Sequence, residues 1–281
     1  MHVSLFGTRG SIATPDADKL RHGGNTSCVC VELDEGRLIL DAGTGIRNLG
    51  SELYGSHGPL HILLTHLHLD HIQGLLFFAP FFDPTAEVTV WGPRGAVRGL
   101  RQRLARYLSS PLSPIEMREL PARVAFREVP AEPWSLLGAQ ISAGLVTHRG
   151  PTLGYRISQE GQSICYLPDH EPALGQDLER DPRDWISGFA LAHDVDLLVH
   201  DGQYTGQEYR GTRGWGHCAV PDALRFARRA QVSRLVLFHH DPAHDDSALD
   251  VLGAEARSAW TAQGGEARQV VMAVEGQRFS T

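Results

Sequence analysis

Three histidines and an aspartate, His66, His68, Asp70 and His71, fall within six positions directly behind the apolar run Ile62-Leu63-Leu64. Neutral imidazoles with a carboxylate are the donor set that suits Zn²⁺, and less well Mn²⁺ or Fe²⁺. Four ligands this close cannot all reach one tetrahedral ion comfortably. The spacing suits two adjacent ions, with His66 and His68 on one and Asp70 and His71 on the other. A solvated, histidine-rich turn is the plain alternative, but H-x-H-x-D-H after a buried strand is a strong metal signal.

A two-metal centre needs further ligands, and three metal-capable residues follow other apolar runs. His148 follows Leu145-Val146-Thr147, Asp169 follows Ile164-Cys165-Tyr166-Leu167-Pro168, and His239 follows Leu235-Val236-Leu237-Phe238. Side chains at the ends of separate strands can converge on one sheet edge. Taken singly each reads as a turn residue; beside the histidine turn they read as a set. Asp169, with two oxygens, could bridge both ions. Of the neighbours His239 and His240, strand alternation lets only one point inward. His239 is the choice because it directly follows the apolar run.

The elements that must position these residues alternate strand and helix signals, with no linker or short repeat. Strands are expected at Val3–Phe6, Cys28–Leu33, Arg37–Leu40, Leu60–Thr65 and Glu87–Trp91, and a second set at Val124–Val129, Ile141–Thr147, Gly154–Ser158 and Ser163–Leu167. Buried strands are expected at Asp196–His200 and Arg234–His239, with a closing strand at Gln269–Val274. A buried helix is expected over Ile72–Phe82, and others over Ala96–Leu108, Asp222–Ala230 and Asp246–Gln263. In Ala96–Leu108 the leucines share one face, leaving Arg98, Arg101 and Arg103 as a solvated face or a phosphate contact. Strand-rich halves each finished by helices predict two sheets packed face to face with helices outside, a four-layer αββα sandwich in one domain spanning residues 1–281.

Composition narrows the function classes. A chain of 281 residues, 42% of them hydrophobic, can bury a large core. No apolar stretch reaches the length of a membrane span and no secretory segment opens the sequence, so a cytoplasmic protein is expected. The net charge of −7 argues against a broadly basic nucleic-acid-binding face. Four cysteines, Cys28, Cys30, Cys165 and Cys218, are too few and too scattered for a disulfide framework. Cys28 and Cys30 lie two apart in a strand and cannot bridge each other there.

The assembled motifs resemble the metallo-β-lactamase-fold hydrolases over essentially the whole chain. The matching stretches, in order, are Phe6-Gly7-Thr8-Arg9-Gly10-Ser11, Leu40-Asp41-Ala42-Gly43, the histidine turn, His148, Asp169 and His239. The resemblance implies His66, His68 and His148 on one ion and Asp70, His71 and His239 on the other. It further implies a bridging Asp169, with Asp41 behind the metal turn. The segment Leu197-Leu198-Val199-His200-Asp201, followed by Trp215-Gly216-His217-Cys218, resembles the phosphodiesterase branch typified by ribonuclease Z. By that resemblance Asp201 stands where the family has a glutamate and His217 where it has the proton donor to the leaving group. Cys218-Ala219 replaces a hydroxyl pair, and no Gly/Pro-rich basic insertion is present. The texture is closer to phosphodiesterases that open cyclic nucleotides or ribosyl cyclic phosphates.

The expected chemistry is in-line attack on phosphorus by a hydroxide shared between two divalent ions. The catalytic set is Asp70, His217 and Asp201, with His217 as general acid and Asp201 holding its tautomer. Glycines at 211, 214 and 216 suggest a mobile segment beside the site. The expected substrate is a small cyclic phosphodiester or nucleotide, with no stable nucleic-acid complex, no membrane and a homodimeric assembly. The rivals are an RNA 3′-end endonuclease, a lactone or ester hydrolase that would have no use for the Asp201–His217 pair, and a non-catalytic sensor. A sensor is expected to have lost at least one ligand, and none is missing.

Overall fold

The structure is a computed structural model describing residues 1–56 and 58–281. Its strands are β1 (His2–Gly7), β2 (Cys28–Leu33), β3 (Gly36–Leu40), β4 (Leu60–Leu63), β5 (Glu87–Gly92), β6 (Arg123–Glu128), β7 (Trp134–Leu136), β8 (Ala139–Leu145), β9 (Leu153–Gln159), β10 (Gln162–Leu167), β11 (Leu197–Asp201), β12 (Leu235–Phe238), β13 (Val270–Met272) and β14 (Arg278–Ser280). They form two seven-stranded sheets ordered β14-β1-β2-β3-β4-β5-β6 and β13-β12-β11-β10-β9-β8-β7.

Alternation along each strand explains the layers. In β2, Val29, Val31 and Leu33 turn toward the second sheet, where they meet Tyr155, Ile157, Tyr166, Val199 and Phe238. Cys28 and Cys30 turn the other way, onto Ile46, Leu49 and Phe78. All four cysteines are free and buried. A third apolar layer packs β10–β13 against the helices Val220–Arg229 and Asp246–Thr261 through Leu198, Leu235, Phe226, Leu252 and Trp260. Helix, sheet, sheet and helix thus stack as the expected αββα sandwich. Among the described residues no helix is long and apolar enough to cross a membrane.

Two expected helices are corrected. Over 72–82 there is no continuous helix but a short one, Leu69–Ile72, and two 3₁₀ segments, Gln73–Phe77 and Ala79–Phe82. Gly74 donates its N–H to the Ala42 carbonyl (2.9 Å), and a Cβ on it would sit 2.0 Å from the Gly43 carbonyl oxygen. Pro80 removes another helical donor. Over 96–108 only Leu100–Leu104 is α-helical, continuing in turns to Leu108. The leucines at 100, 104 and 108 are buried as expected, but Arg103 folds inward while Arg98 and Arg101 stay exposed.

The topology places chemistry on one edge. Strands β3 to β6 are mutually parallel, and so are β10 to β13. Open parallel sheets gather ligand-binding loops at the carboxyl ends of their strands. Asp41 follows β3, the histidine turn follows β4, Asp169 follows β10, Asp201 ends β11 and His239 follows β12. Hydrogen bonds tie the two edges together: the Tyr155 hydroxyl donates to the Leu64 carbonyl (2.6 Å) and the Leu153 N–H to the Thr65 carbonyl (2.9 Å).

Candidate metal centre

The histidine turn and the strand-end residues come together in two groups that share one carboxylate. His66, His68, His148 and Asp169 present ligand atoms within 4.8 Å of one another, and so do Asp70, His71, Asp169 and His239. Asp169 divides its oxygens between the groups. Its Oδ2 lies 3.7 Å from His66 Nε2 and 3.5 Å from His148 Nε2, while Oδ1 lies 3.0 Å from His71 Nε2 and 3.3 Å from His239 Nε2. All seven sequence-predicted ligand positions are therefore gathered at one place.

Four of the five imidazoles are oriented from behind, while the fifth, His68, turns its Nδ1 to His148 Nε2 at 3.2 Å. His71 Nδ1 donates to Asp41 Oδ2 (2.8 Å), His148 Nδ1 to the Gly216 carbonyl (2.7 Å) and His239 Nδ1 to Gln203 Oε1 (3.0 Å). The Thr65 hydroxyl, which donates to Asp41 (3.0 Å), is left to accept from His66 Nδ1 (3.0 Å). With Nδ1 turned to these partners in all four, each Nε2 faces the centre, the edge that a metal ligand must present. Asp41 is the hub, taking in addition the Thr65 N–H (2.7 Å) and the Tyr166 hydroxyl (3.0 Å). Asp70 is aimed by the Ser11 N–H (2.8 Å). Gly10 has to be glycine, since a Cβ there would lie 2.3 Å from His239 Nδ1.

The residues fit a pair of divalent cations. His66 Nε2, His71 Nε2 and Asp169 Oδ1 are buried without a hydrogen-bond partner, and polar atoms are rarely left so unless something else binds them. The electrostatics agree. Burial opposes ionisation of Asp169 and Asp70, yet the neighbouring histidines outweigh it and hold both well below the usual carboxylate range. Burial also opposes charge on His71, but Asp169, Asp70 and Asp41 together raise it well above an ordinary imidazole. That surplus of negative charge calls for a cation. His66, His68 and His148 are pushed down, chiefly by burial, and stay neutral.

His217 and Asp201 stand beside both groups. His217 Nδ1 donates to Asp201 Oδ2 (2.8 Å), and its ring stacks on His239 with centroids 4.9 Å apart. Burial disfavours the imidazolium, but the charge and hydrogen bond of Asp201 overcome this and bring His217 up to about 9. Asp201 is fixed by N–H donors from His170 (3.2 Å), Gln203 (3.0 Å) and Cys218 (3.2 Å). His240 turns away from the centre: its Nε2 donates to the Ala273 carbonyl (2.9 Å), and burial lowers it to about 3.

Two residues with roles here were not singled out in the sequence, Gln203 behind His239 and Glu171. Glu171, two positions after Asp169, is buried and accepts from the Tyr209 hydroxyl (2.8 Å), the Gly214 N–H (2.7 Å) and the Gly216 N–H (2.8 Å). It fastens the glycine-rich segment whose Gly216 carbonyl orients His148, so that segment is anchored where the glycines suggested mobility. Lone glutamates in turns are usually solvated, and only the nearness of Glu171 to Asp169 hinted otherwise.

A family model described as "Beta-lactamase superfamily domain" matches residues 36–240. Ribonuclease Z of Kineococcus radiotolerans is 30% identical, covering 74% of this chain and 74% of that protein. Ribonuclease Z of Haloferax volcanii is 25% identical, covering 85% and 84%. The crystal structure of the short form of human tRNase Z superposes with a TM-score of 0.67 at 20% identity, covering 100% of this chain and 99% of the other.

Proposed function

Because the chain belongs to the beta-lactamase superfamily, as a metal-dependent phosphodiester hydrolase of its ribonuclease Z-like branch, we propose that it hydrolyses a small cyclic phosphodiester or cyclic nucleotide. His66, His68 and His148 would hold one divalent ion, zinc in the first instance, and Asp70, His71 and His239 the other, with Asp169 common to both sets. Bound there, the ions supply activated water and offset charge on the phosphoryl oxygens. The observation that carries the reading is the Asp201–His217 hydrogen bond at 2.8 Å beside both groups. An alkoxide is a poor leaving group near neutral pH, and His217, protonated and held in one tautomer by Asp201, delivers the proton it needs. An ester or lactone centre has no use for that pair.

Substrate size rests on charge and shape. The recess next to His66 and His68 measures 140 Å³, room for part of a nucleotide. The net charge of −7 gives long polyanions little general attraction. The second reading, cleavage at an RNA 3′ end, draws on the ribonuclease Z relatives themselves. Hydrolysis of 2′,3′- and 3′,5′-cyclic nucleotides against a 3′-extended tRNA by metal-loaded protein decides between them. Faster cutting of the tRNA than of every cyclic nucleotide overturns the small-substrate reading. We also propose a homodimer, which light scattering at micromolar concentration checks.

A further inference from the structure

The recess beside the first histidine group is lined by His66 and His68 together with Arg103, Arg149, Pro93 and Pro151. Among the described residues no carboxylate lines it. Arg103 reaches it from the helix Leu100–Leu104, with one guanidinium nitrogen donating to the Pro93 carbonyl. Its Nε is covered beside Gly95, so it is the outer edge of the guanidinium that lines the recess. Glu128, which accepts from the Gly95 N–H at 3.4 Å, is the acidic neighbour that acts on Arg103 through space, and it makes no ion pair with it. A guanidinium stays charged under these conditions, and the part of Arg103 that lines the recess brings its positive charge there. Arg149 directly follows His148, and its Nε donates to the Gly214 carbonyl (3.1 Å), on the segment fastened by Glu171. That bond fixes one edge of the exposed guanidinium, and among the described residues its other N–H groups take no acceptor.

We propose that this recess is a second anion subsite, in which Arg103 and Arg149 hold a non-reacting phosphate of the substrate while the scissile phosphodiester lies over the histidine groups. The inference rests on the phosphodiesterase reading and deepens it. It makes the preferred substrate a phosphodiester that also carries a phosphomonoester, recognised by two planar forks suited to phosphate oxygens. The recess adjoins the centre directly through His66 and His68, so the two phosphates belong to one small molecule.

The test compares adenosine 2′,3′-cyclic phosphate with and without a 5′-phosphate on the metal-loaded enzyme. The phosphorylated form should be favoured in kcat/KM by about tenfold or more, the worth of a charge-assisted phosphate contact. R103Q and R149Q should each reduce that ratio severalfold. Calorimetry with adenosine 3′,5′-bisphosphate against adenosine 3′-monophosphate should show the same preference in Kd and the same loss, without turnover. A wild-type ratio near one, or variants that weaken both ligands equally, overturns the subsite. So does a 3′-extended tRNA whose cleavage depends on the two arginines while the cyclic pair shows no preference, because the second phosphate then belongs to a polynucleotide. Bis(p-nitrophenyl) phosphate separates the two failures. Its turnover beside a ratio of one removes the subsite alone, whereas its resistance to the metal-loaded protein removes the phosphodiesterase reading and the subsite with it.

Discussion

The two histidine groups share Asp169 but are built differently. The first offers three imidazoles and one carboxylate, with His68 exposed and His148 half-buried. The second offers two imidazoles and two carboxylates, all buried. Negative charge is concentrated on the second, where it raises His71, while burial keeps the histidines of the first neutral. An enclosed, carboxylate-rich site holds a dication more strongly than an open, imidazole-rich one, because ligand charge and restricted water access both favour the bound cation. On the proposed metal assignment the second group would hold its ion the more tightly, and the first, which adjoins the arginine-lined recess, would face the substrate.

The variant with the largest expected effect is Asp169→Ala, which removes the shared carboxylate. It should leave fewer than two ions per chain by elemental analysis and abolish phosphodiester hydrolysis. If full metal content survives, the groups do not depend on each other and the bridge is wrong. In the unsubstituted protein, graded chelation should strip one ion before the other, with the first group emptying first. Simultaneous loss of both would erase the distinction between the groups.

Next in size is His217→Ala. This residue is proposed to protonate the leaving oxygen rather than to bind metal. The variant should therefore keep both ions and lose roughly a hundredfold in turnover of substrates with alkoxide leaving groups. The loss should shrink for p-nitrophenyl esters, whose leaving group departs without a proton. Equal impairment on both kinds of substrate would make His217 a binding or structural residue instead.

A milder effect is expected from Asp201→Asn. Asp201 raises His217, and an acid works only while protonated. Activity on alkoxide substrates should therefore fall as pH rises through the His217 titration. Removing the carboxylate's charge lowers that pKa, so the alkaline limb should move to lower pH in the variant while p-nitrophenyl ester turnover moves less. An unmoved limb would show that another group sets it.

The sequence was legible where function and burial coincide in one short pattern. The turn His66–His71 and the ligands after β10 and β12 stand directly behind apolar runs, so residue type and position agree, and the same runs made most strands visible. What was missed depends on contacts made across the fold. The helix Ile46–Leu53 does place Ile46, Leu49 and Leu53 on one buried face, but it is only eight residues long and weak as a pattern. The strands β7 and β14 are three residues each, too short for a pattern; β7 forms a tight hairpin with β8, and β14 is set by pairing with the distant β1. The helix expected over 72–82 fails because Gly74 must lie on the Gly43 carbonyl, a contact with no local signature. Glycines at 211, 214 and 216 suggested mobility because the sequence does not show that Glu171 grips the last two.

That grip gives the smallest and most selective test. The Glu171 carboxylate accepts from the Gly214 and Gly216 N–H groups through different oxygens. In Glu171→Gln one of those oxygens becomes an NH₂ facing an N–H donor, so one bond is lost and two donors oppose each other. The disturbance passes to the Gly216 carbonyl, which holds His148 Nδ1, and a partner behind a ligand typically changes metal affinity by about tenfold or more. His148 belongs to the first group alone, and none of the bonds behind His71, Asp70 or His239 runs through Glu171. The variant should therefore weaken only the more readily chelated ion, seen as an earlier first step in competition with a chelator and an unmoved second step. Equal weakening of both would mean the grip supports the whole edge and the division between the two groups is less sharp than their ligands suggest.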